Sequence, residues 1–179
     1  MPTEAQITKA LVENFDNGFT ELVSEYQPGI YSGARRLTRH AHDAQDIAQD
    51  TFVRAYSAMS KFDSERILDL KVRAYLWTIA LNLCRNRATR RVPELSILEH
   101  ETAVEDASPS LDEAVWSRRL ETLNTHQREA VVMRHILDMP IAEITQVTGR
   151  PSGTVKADIA RGLDRLRATI EAEAHHDRS

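Results

Sequence analysis

The 179-residue chain contains a single cysteine, Cys84. One cysteine permits no intrachain disulfide framework and no zinc site built from clustered cysteines. Aromatic residues make up only 6%, so any core must be modest. The length fits one ordinary domain or two small ones, and small domains bury proportionally little surface. No apolar run approaches the roughly 18–20 residues that span a bilayer, which argues against membrane insertion. The stretch Met1 to Asn14 is broken by Glu4, Lys9 and Glu13. No secretory signal is therefore expected, and a cytoplasmic protein is.

Other signatures are also missing. No segment alternates apolar and polar residues with β-branched enrichment, so no strand is expected. No internal repeat and no low-complexity tract is found. There is no Gly-rich phosphate loop, no His pair at helical metal-ligand spacing and no nucleophile–base pattern. His40 with His42, and His175 with His176, read as a solvated loop and a tail rather than as metal ligands. Cys84 reads as a small packing residue, since no second cysteine could resolve an oxidised form. The expectation is a protein that is not an enzyme and needs neither cofactor nor metal.

What the chain does have is unevenly placed charge. The net charge is −4, which as an average argues against a nucleic-acid partner. Yet Lys71, Arg73, Arg85, Arg87, Arg90 and Arg91 form a block with no acidic residue between them. Glu94, Glu99, Glu101, Glu105, Asp106, Asp112 and Glu113 follow without a Lys or Arg. A second basic block holds Arg150, Lys156, Arg161, Arg165 and Arg167 against Asp158 and Asp164. One such block is an ordinary solvated helix face. Two, each beside a polar or aromatic pattern, favour an anionic partner. The acidic stretch from Val92 to Leu111 also carries Pro93, Ser96, Ser108, Pro109 and Ser110, the composition of an exposed, flexible linker.

Almost everything outside that linker reads as helix. Phe15, Phe19, Leu22, Val23 and Tyr26 recur at spacings of three and four. Pro28-Gly29 interrupts the pattern, and Ile30, Ala34 and Leu37 resume it. From Asp43 to Met59, the residues Ile47, Thr51, Ala55 and Met59 form one stripe. Asp43, Asp46 and Asp50 share a face about 60° wide beside it. The helix dipole explains acid in the first turn. It does not explain Asp50, and clustered carboxylates repel one another, so a basic partner surface is the sharper reading. Lys61 to Lys71 reads as a loop. In the helix that follows, Val72, Leu76, Ile79 and Leu83 make a core stripe, with Tyr75, Asn82 and Asn86 on a neighbouring face and Trp77 on the Arg85 side. Rings, amides and arginines interleaved in this way suit single-stranded nucleic acid. Core packing of Tyr75 and Trp77 is the competing reading.

The second half holds a helix-turn-helix candidate. Pro140 opens a short helix whose Ile141, Ile144 and Val147 face inward. Thr148-Gly149-Arg150 makes the turn, with Gly149 free to adopt a left-handed backbone. Pro151-Ser152-Gly153 opens the next helix, in which Val155, Ile159, Gly162 and Leu166 pack inward. Ala157, Ala160, Arg161 and Asp164 face out, flanked by Lys156, Arg165 and Arg167. Small residues on such a face let the backbone approach base edges, while flanking cations reach phosphates.

In these motifs the chain resembles the extracytoplasmic-function sigma factors of the bacterial primary-sigma superfamily. The motifs are Asp43-Ala-Gln-Asp-Ile-Ala-Gln-Asp-Thr-Phe-Val-Arg-Ala-Tyr56 and Val72-Arg-Ala-Tyr-Leu-Trp-Thr-Ile-Ala-Leu-Asn-Leu-Cys-Arg-Asn86 in the first half. Gln127-Arg-Glu-Ala-Val131 and Gly153-Thr-Val-Lys156 with Arg161 carry it in the second. The resemblance covers residues 15–92 and 112–168. It implies an all-α fold: residues 1–92 as sigma domain two, 93–111 as a flexible acidic linker, and 112–179 as sigma domain four with the helix-turn-helix. It implies that Asp46, Gln49, Asp50 and Phe52 dock on the clamp helices of the polymerase β′ subunit. Asn82, Arg85 and Asn86 would capture the −10 element as a melted strand. Thr154, Lys156, Ala157, Ala160 and Arg161 would read the −35 element as duplex. The implied partners are core RNA polymerase (β′ clamp helices and β flap), promoter DNA and a cognate anti-sigma factor.

Three positions depart from the family pattern. Asp158 stands where a basic residue is usual, Tyr75 where Trp is common and Asn86 where Asp is frequent. Asp158 would repel phosphate, which shifts the contact to Arg161 and Arg165 or makes Asp158 an acceptor for a cytosine amine. Two other readings compete: a stand-alone helix-turn-helix regulator, which leaves the acidic face unexplained, and a helical adaptor, which leaves both basic blocks unexplained.

Overall fold

The computed structural model describes residues 2–94 and 111–176. Residues 95–110, most of the expected acidic linker, lie outside the described residues. The chain folds as two compact units, Met1–Val92 and Pro93–Ser179. All regular structure among the described residues is helical.

The first unit begins with α1 (Glu4–Glu13). Thr3 and Gln6 form a reciprocal cap at its start: Gln6 N–H donates to Thr3 Oγ1, and Thr3 N–H donates to Gln6 Oε1 at 2.7 Å. Asn14 ends α1 and caps α2 (Phe15–Thr38), its side chain accepting from Asn17 N–H at 3.0 Å. With one residue at the joint, α1 folds straight back onto α2. Gly18 permits this, because a Cβ there would stand 2.6 Å from the Leu11 Cα. The sequence pattern breaks at Pro28-Gly29, but the helix does not. Both residues are exposed, while Leu22, Ile30 and Ala34 stay buried on either side. The proline costs about 3 kcal/mol in an isolated helix. Burial of the flanking stripe outweighs it, at about 1.5–3 kcal/mol per large apolar side chain.

Arg39 ends α2 in the left-handed region (φ 69°), and α3 (Ala41–Met59) follows. Ala44, Ile47, Ala48, Thr51, Phe52, Ala55 and Met59 form its buried stripe. Thr51 avoids an unmet polar group by donating its hydroxyl to the Ile47 carbonyl at 2.7 Å. The expected loop from Lys61 to Lys71 contains a short helix, α4 (Ser64–Leu68). Asp63 nucleates it by accepting from Arg66 N–H at 2.8 Å, and Ile67 is buried beneath it. α5 (Val72–Glu94) closes the unit. Its start is tied to α1 by Arg73 N–H donating to Glu4 Oε1 at 3.0 Å.

The buried side of α5 differs from the expected stripe. Val72, Ala74, Leu76, Trp77, Ala80, Leu81 and Cys84 are buried, whereas Ile79 and Leu83 are half-buried. Trp77 is 2% exposed, so it is a core residue and does not sit at the surface beside Arg85. Its large apolar ring outcompetes the smaller Ile79 for the interior in a core poor in aromatics.

The second unit comprises α6 (Leu111–Glu121), α7 (Thr125–Val131) with a π-helical continuation over Val132–Ile136, α8 (Ile141–Thr148) and α9 (Ser152–His176). Asn124 and Gln127 cap α7 reciprocally. Arg128 closes the α6–α7 turn by donating to the Leu120 and Leu123 carbonyls at 2.9 and 3.0 Å. Gly149 ends α8 at φ 67°, as a left-handed C-cap requires. Ile144, Val147, Val155, Ile159 and Leu166 pack inward, while Ile141 is half-buried. Gly162 passes close to α7, where a Cβ would meet Val131 Cγ2 at 2.7 Å. Arg119 holds Glu173 at 2.7 Å and ties α6 to α9.

Candidate functional site

Three surfaces carry the sequence-derived residues. The first is the outer side of α3, and the structure divides its carboxylates. Asp43 is buried, and Arg87 from α5 reaches it at 3.4 Å. The same guanidinium holds Asp46 at 3.2 Å, and His42 lies 3.7 Å from Asp46. Asp43 is therefore not part of an exposed acidic face, because a cation from the neighbouring helix draws it inward. Gln49 and Asp50 are exposed. Phe52 is 8% exposed and packs beneath this face rather than on it. The sequence reading missed Val53, 67% exposed one turn beyond Gln49, and Tyr56, 43% exposed. Tyr56 donates its hydroxyl to Asp16 at 2.8 Å and packs edge-on against Phe19, ring centroids 5.0 Å apart. The hydrogen bond to Asp16 raises the tyrosine pKa above its ordinary value, and the nearby negative charge adds to it. The outer side of α3 thus offers Gln49 and Asp50, with half-buried Asp46, beside exposed Val53 and Tyr56.

The second surface is built by α4 and α5. Asn82 and Asn86 are exposed and Arg85 is half-buried. In the same unit, Arg66 lies over the Phe62 ring at 3.6 Å, and Phe62 meets Tyr75 edge-on at 6.1 Å. Burial raises the Tyr75 pKa, and the Arg66 charge opposes it. A guanidinium stacked on a ring can receive a base and a phosphate together. The α4 cap at Asp63 places Arg66 there. This helix stands where the sequence pattern predicts a loop, and the signal that points to it is the Asp63 cap itself.

The third surface is the outer face of α9. Thr154, Lys156, Ala160 and Arg161 are exposed, and Ala157 is half-buried. Asp158 is buried, against the expectation of a carboxylate facing DNA. Arg150 from the turn pairs with one of its oxygens, and Arg161 pairs with the other at 2.9 Å. Asp158 therefore neither repels phosphate from the surface nor reaches a cytosine amine. Arg150 is correspondingly withdrawn from solvent: its side chain is 15% exposed and 3.8 Å from buried Glu129. Arg167 pairs with Asp164 at 2.9 Å. Lys156 and Arg165 remain exposed with no ion-pair partner among the described residues. No cluster of metal-ligating side chains occurs among the described residues, and none of their helices is long and apolar enough to cross a membrane.

Known proteins resemble this chain. The family described as Sigma-70 region 2 matches residues 22–92, and that described as Sigma-70, region 4 matches residues 115–166. The chain is 28% identical to the ECF RNA polymerase sigma factor SigW of Bacillus subtilis, over 90% of this chain and 94% of SigW. It is 31% identical to the RNA polymerase sigma-E factor of Streptomyces coelicolor, over 86% of each chain. Among solved structures, CnrH in complex with the cytosolic domain of CnrY superposes with a TM-score of 0.73 at 26% identity, covering 94% of this chain and 97% of CnrH. The Bartonella quintana sigma factor RpoE, solved with the anti-sigma factor NepR, shares the fold with a TM-score of 0.70 at 22% identity, over 89% and 98% of the two chains. Both halves of the chain match in chain order, and the chain belongs to the extracytoplasmic-function sigma factors, the promoter-directing subunits of RNA polymerase.

Proposed function

We propose that the three surfaces divide the work of promoter selection among named residues. Residues 1–92 act as domain two, 93–111 as the connecting linker and 112–179 as domain four. Asp46, Gln49 and Asp50 present carboxylate and amide groups to the basic β′ clamp helices, with Phe52 fixing their helix from below. Asn82, Arg85 and Asn86, together with the Phe62–Arg66–Tyr75 cluster of the same unit, receive the melted −10 strand. Thr154, Lys156, Ala157, Ala160 and Arg161 enter the −35 major groove, where small residues admit the backbone and cations hold phosphate. The protein does no chemistry of its own; it positions polymerase. It works in the cytoplasm, with core polymerase and promoter DNA as partners, the β flap among the polymerase surfaces it meets. A cognate anti-sigma factor completes the set, as the family resemblance implies.

The observation that carries this reading is the exposure, in one chain, of both a polar, acidic face on α3 (Gln49 and Asp50, beside half-buried Asp46) and a helix-turn-helix face (Thr154, Lys156, Ala160, Arg161). A stand-alone regulator has no use for the first of these. Run-off transcription with core polymerase from a related bacterium, on pooled promoter fragments, tests it. Discrete transcripts that depend on the added protein are expected. Their absence, together with duplex retardation by the protein alone, would overturn the reading in favour of the stand-alone regulator.

A further inference from the structure

Asp158 lies on the helix proposed to enter the groove, yet among the described residues of the second unit it is one of the few buried charges. Its carboxylate is shared. One oxygen accepts from Arg150, and the other accepts from Arg161 Nη2 at 2.9 Å. Arg150 is braced in turn. It lies 3.8 Å from Glu129, whose side chain is 3% exposed, and donates to the His126 carbonyl at 3.4 Å. His126 and Glu129 belong to α7, Arg150 to the turn, and Asp158 and Arg161 to α9. The brace therefore runs from the body of the unit through the turn to the recognition helix.

Arg161 differs from the other members. Its side chain is 61% exposed although one N–H is engaged below, which leaves the remaining donors of its fork available. A bidentate grip on guanine needs that fork held in one orientation. A free arginine must instead lose its rotamer entropy on binding. We propose that Asp158 is a positioning residue for −35 readout. Held from below by Arg150, and through it by α7, it presets the Arg161 guanidinium for one guanine-bearing base pair. The inference rests on the reading of Arg161 as a base reader. It also gives the unusual carboxylate a role that a phosphate-facing basic residue could not fill.

The test uses the full chain assembled with core polymerase and a promoter panel in which each −35 base pair is substituted in turn. Arg161→Ala is expected to relax discrimination at one G·C pair by about tenfold. Asp158→Asn is expected to relax the same position by a smaller factor, with a matching loss of affinity for the cognate promoter, and to leave discrimination at the other positions intact. The double variant should lose no more discrimination than Arg161→Ala alone. If Asp158→Asn weakens all positions alike, its role is packing and the proposal fails. If Arg161→Ala relaxes no position, the base-reader assignment fails and the proposal with it. If Arg161→Ala relaxes one position that Asp158→Asn spares, only the proposal fails. Should Asp158→Asn not fold, side-chain nitrogen NMR of the unmodified chain decides. Hindered rotation of the Arg161 guanidinium, against free rotation of exposed Arg165, is expected; equal mobility would overturn the proposal.

Discussion

Arg87 shows how one side chain can reassign others. It spans Asp43 and Asp46 at 3.4 and 3.2 Å, pins α5 to α3 and leaves Asp50 as the one exposed member of an apparent row of three acids. Its own side chain is 35% exposed, so solvent screens part of the interaction. Arg87→Met is expected to cost about 1–2 kcal/mol, because it strips a cation from buried Asp43. A chemical denaturation curve with unchanged slope checks this. Asp50→Lys, at an exposed position, should leave that curve in place and abolish polymerase association in a pull-down. Retained association would sink the docking assignment. The Asp43–Asp46–Asp50 spacing was visible in the sequence because helical periodicity puts these residues on one side. The inward turn of Asp43 was not, because Arg87 lies in another helix and no local pattern reports a partner 41 residues from Asp46.

At the scale of elements, periodicity and caps made most of the helices legible, and the errors have physical causes. The outline of α8, its Gly149 stop and the inward stripe of α9 follow from spacing and turn chemistry. Propensity suggested an interruption at Pro28, but tertiary burial on both sides overrides it. Pro28→Ala restores an amide and a helix former at an exposed site, so the thermal midpoint should rise, by about 1–3 kcal/mol in stability terms. Gly18 acts in the opposite sense. Alanine is the better helix residue by about 1 kcal/mol. A methyl there runs into Leu11 backbone, which cannot yield without moving α1. Gly18→Ala should therefore lower stability by about 1–3 kcal/mol despite the propensity gain. A higher melting temperature would mean that α1 is not held against α2 in solution. The loop that became α4 and the burial of Trp77 were hidden for a related reason. Five residues are too few for a period, and an aromatic beside arginines reads equally as core or as base platform until packing decides.

For the molecule as a whole, the electrostatic balance limits what it does alone. The net charge is −4. Of the five cations counted in the second basic block, Arg150 and Arg161 share Asp158 and Arg167 is held by Asp164. The helix-turn-helix thus offers duplex DNA few uncommitted cations, chiefly Lys156 and Arg165. Affinity from phosphate neutralisation scales with the number of such contacts, each contributing about 0.9 to the logarithmic salt slope. With two or three contacts the slope is shallow, and binding at physiological salt is weak. The full chain alone is therefore expected to retard a −35 duplex poorly in 0.15 M salt, where the Debye length is about 8 Å. Binding should become tight and specific only when core polymerase supplies further DNA contacts. Lys156→Ala should then weaken promoter binding across sequences and lower the measured slope by about one unit. A titration of holoenzyme binding against salt reads both quantities. An unchanged slope would remove Lys156 from the phosphate contacts, and a steep slope for the isolated chain would show that Arg150, Arg161 and Arg167 leave their carboxylates when DNA arrives.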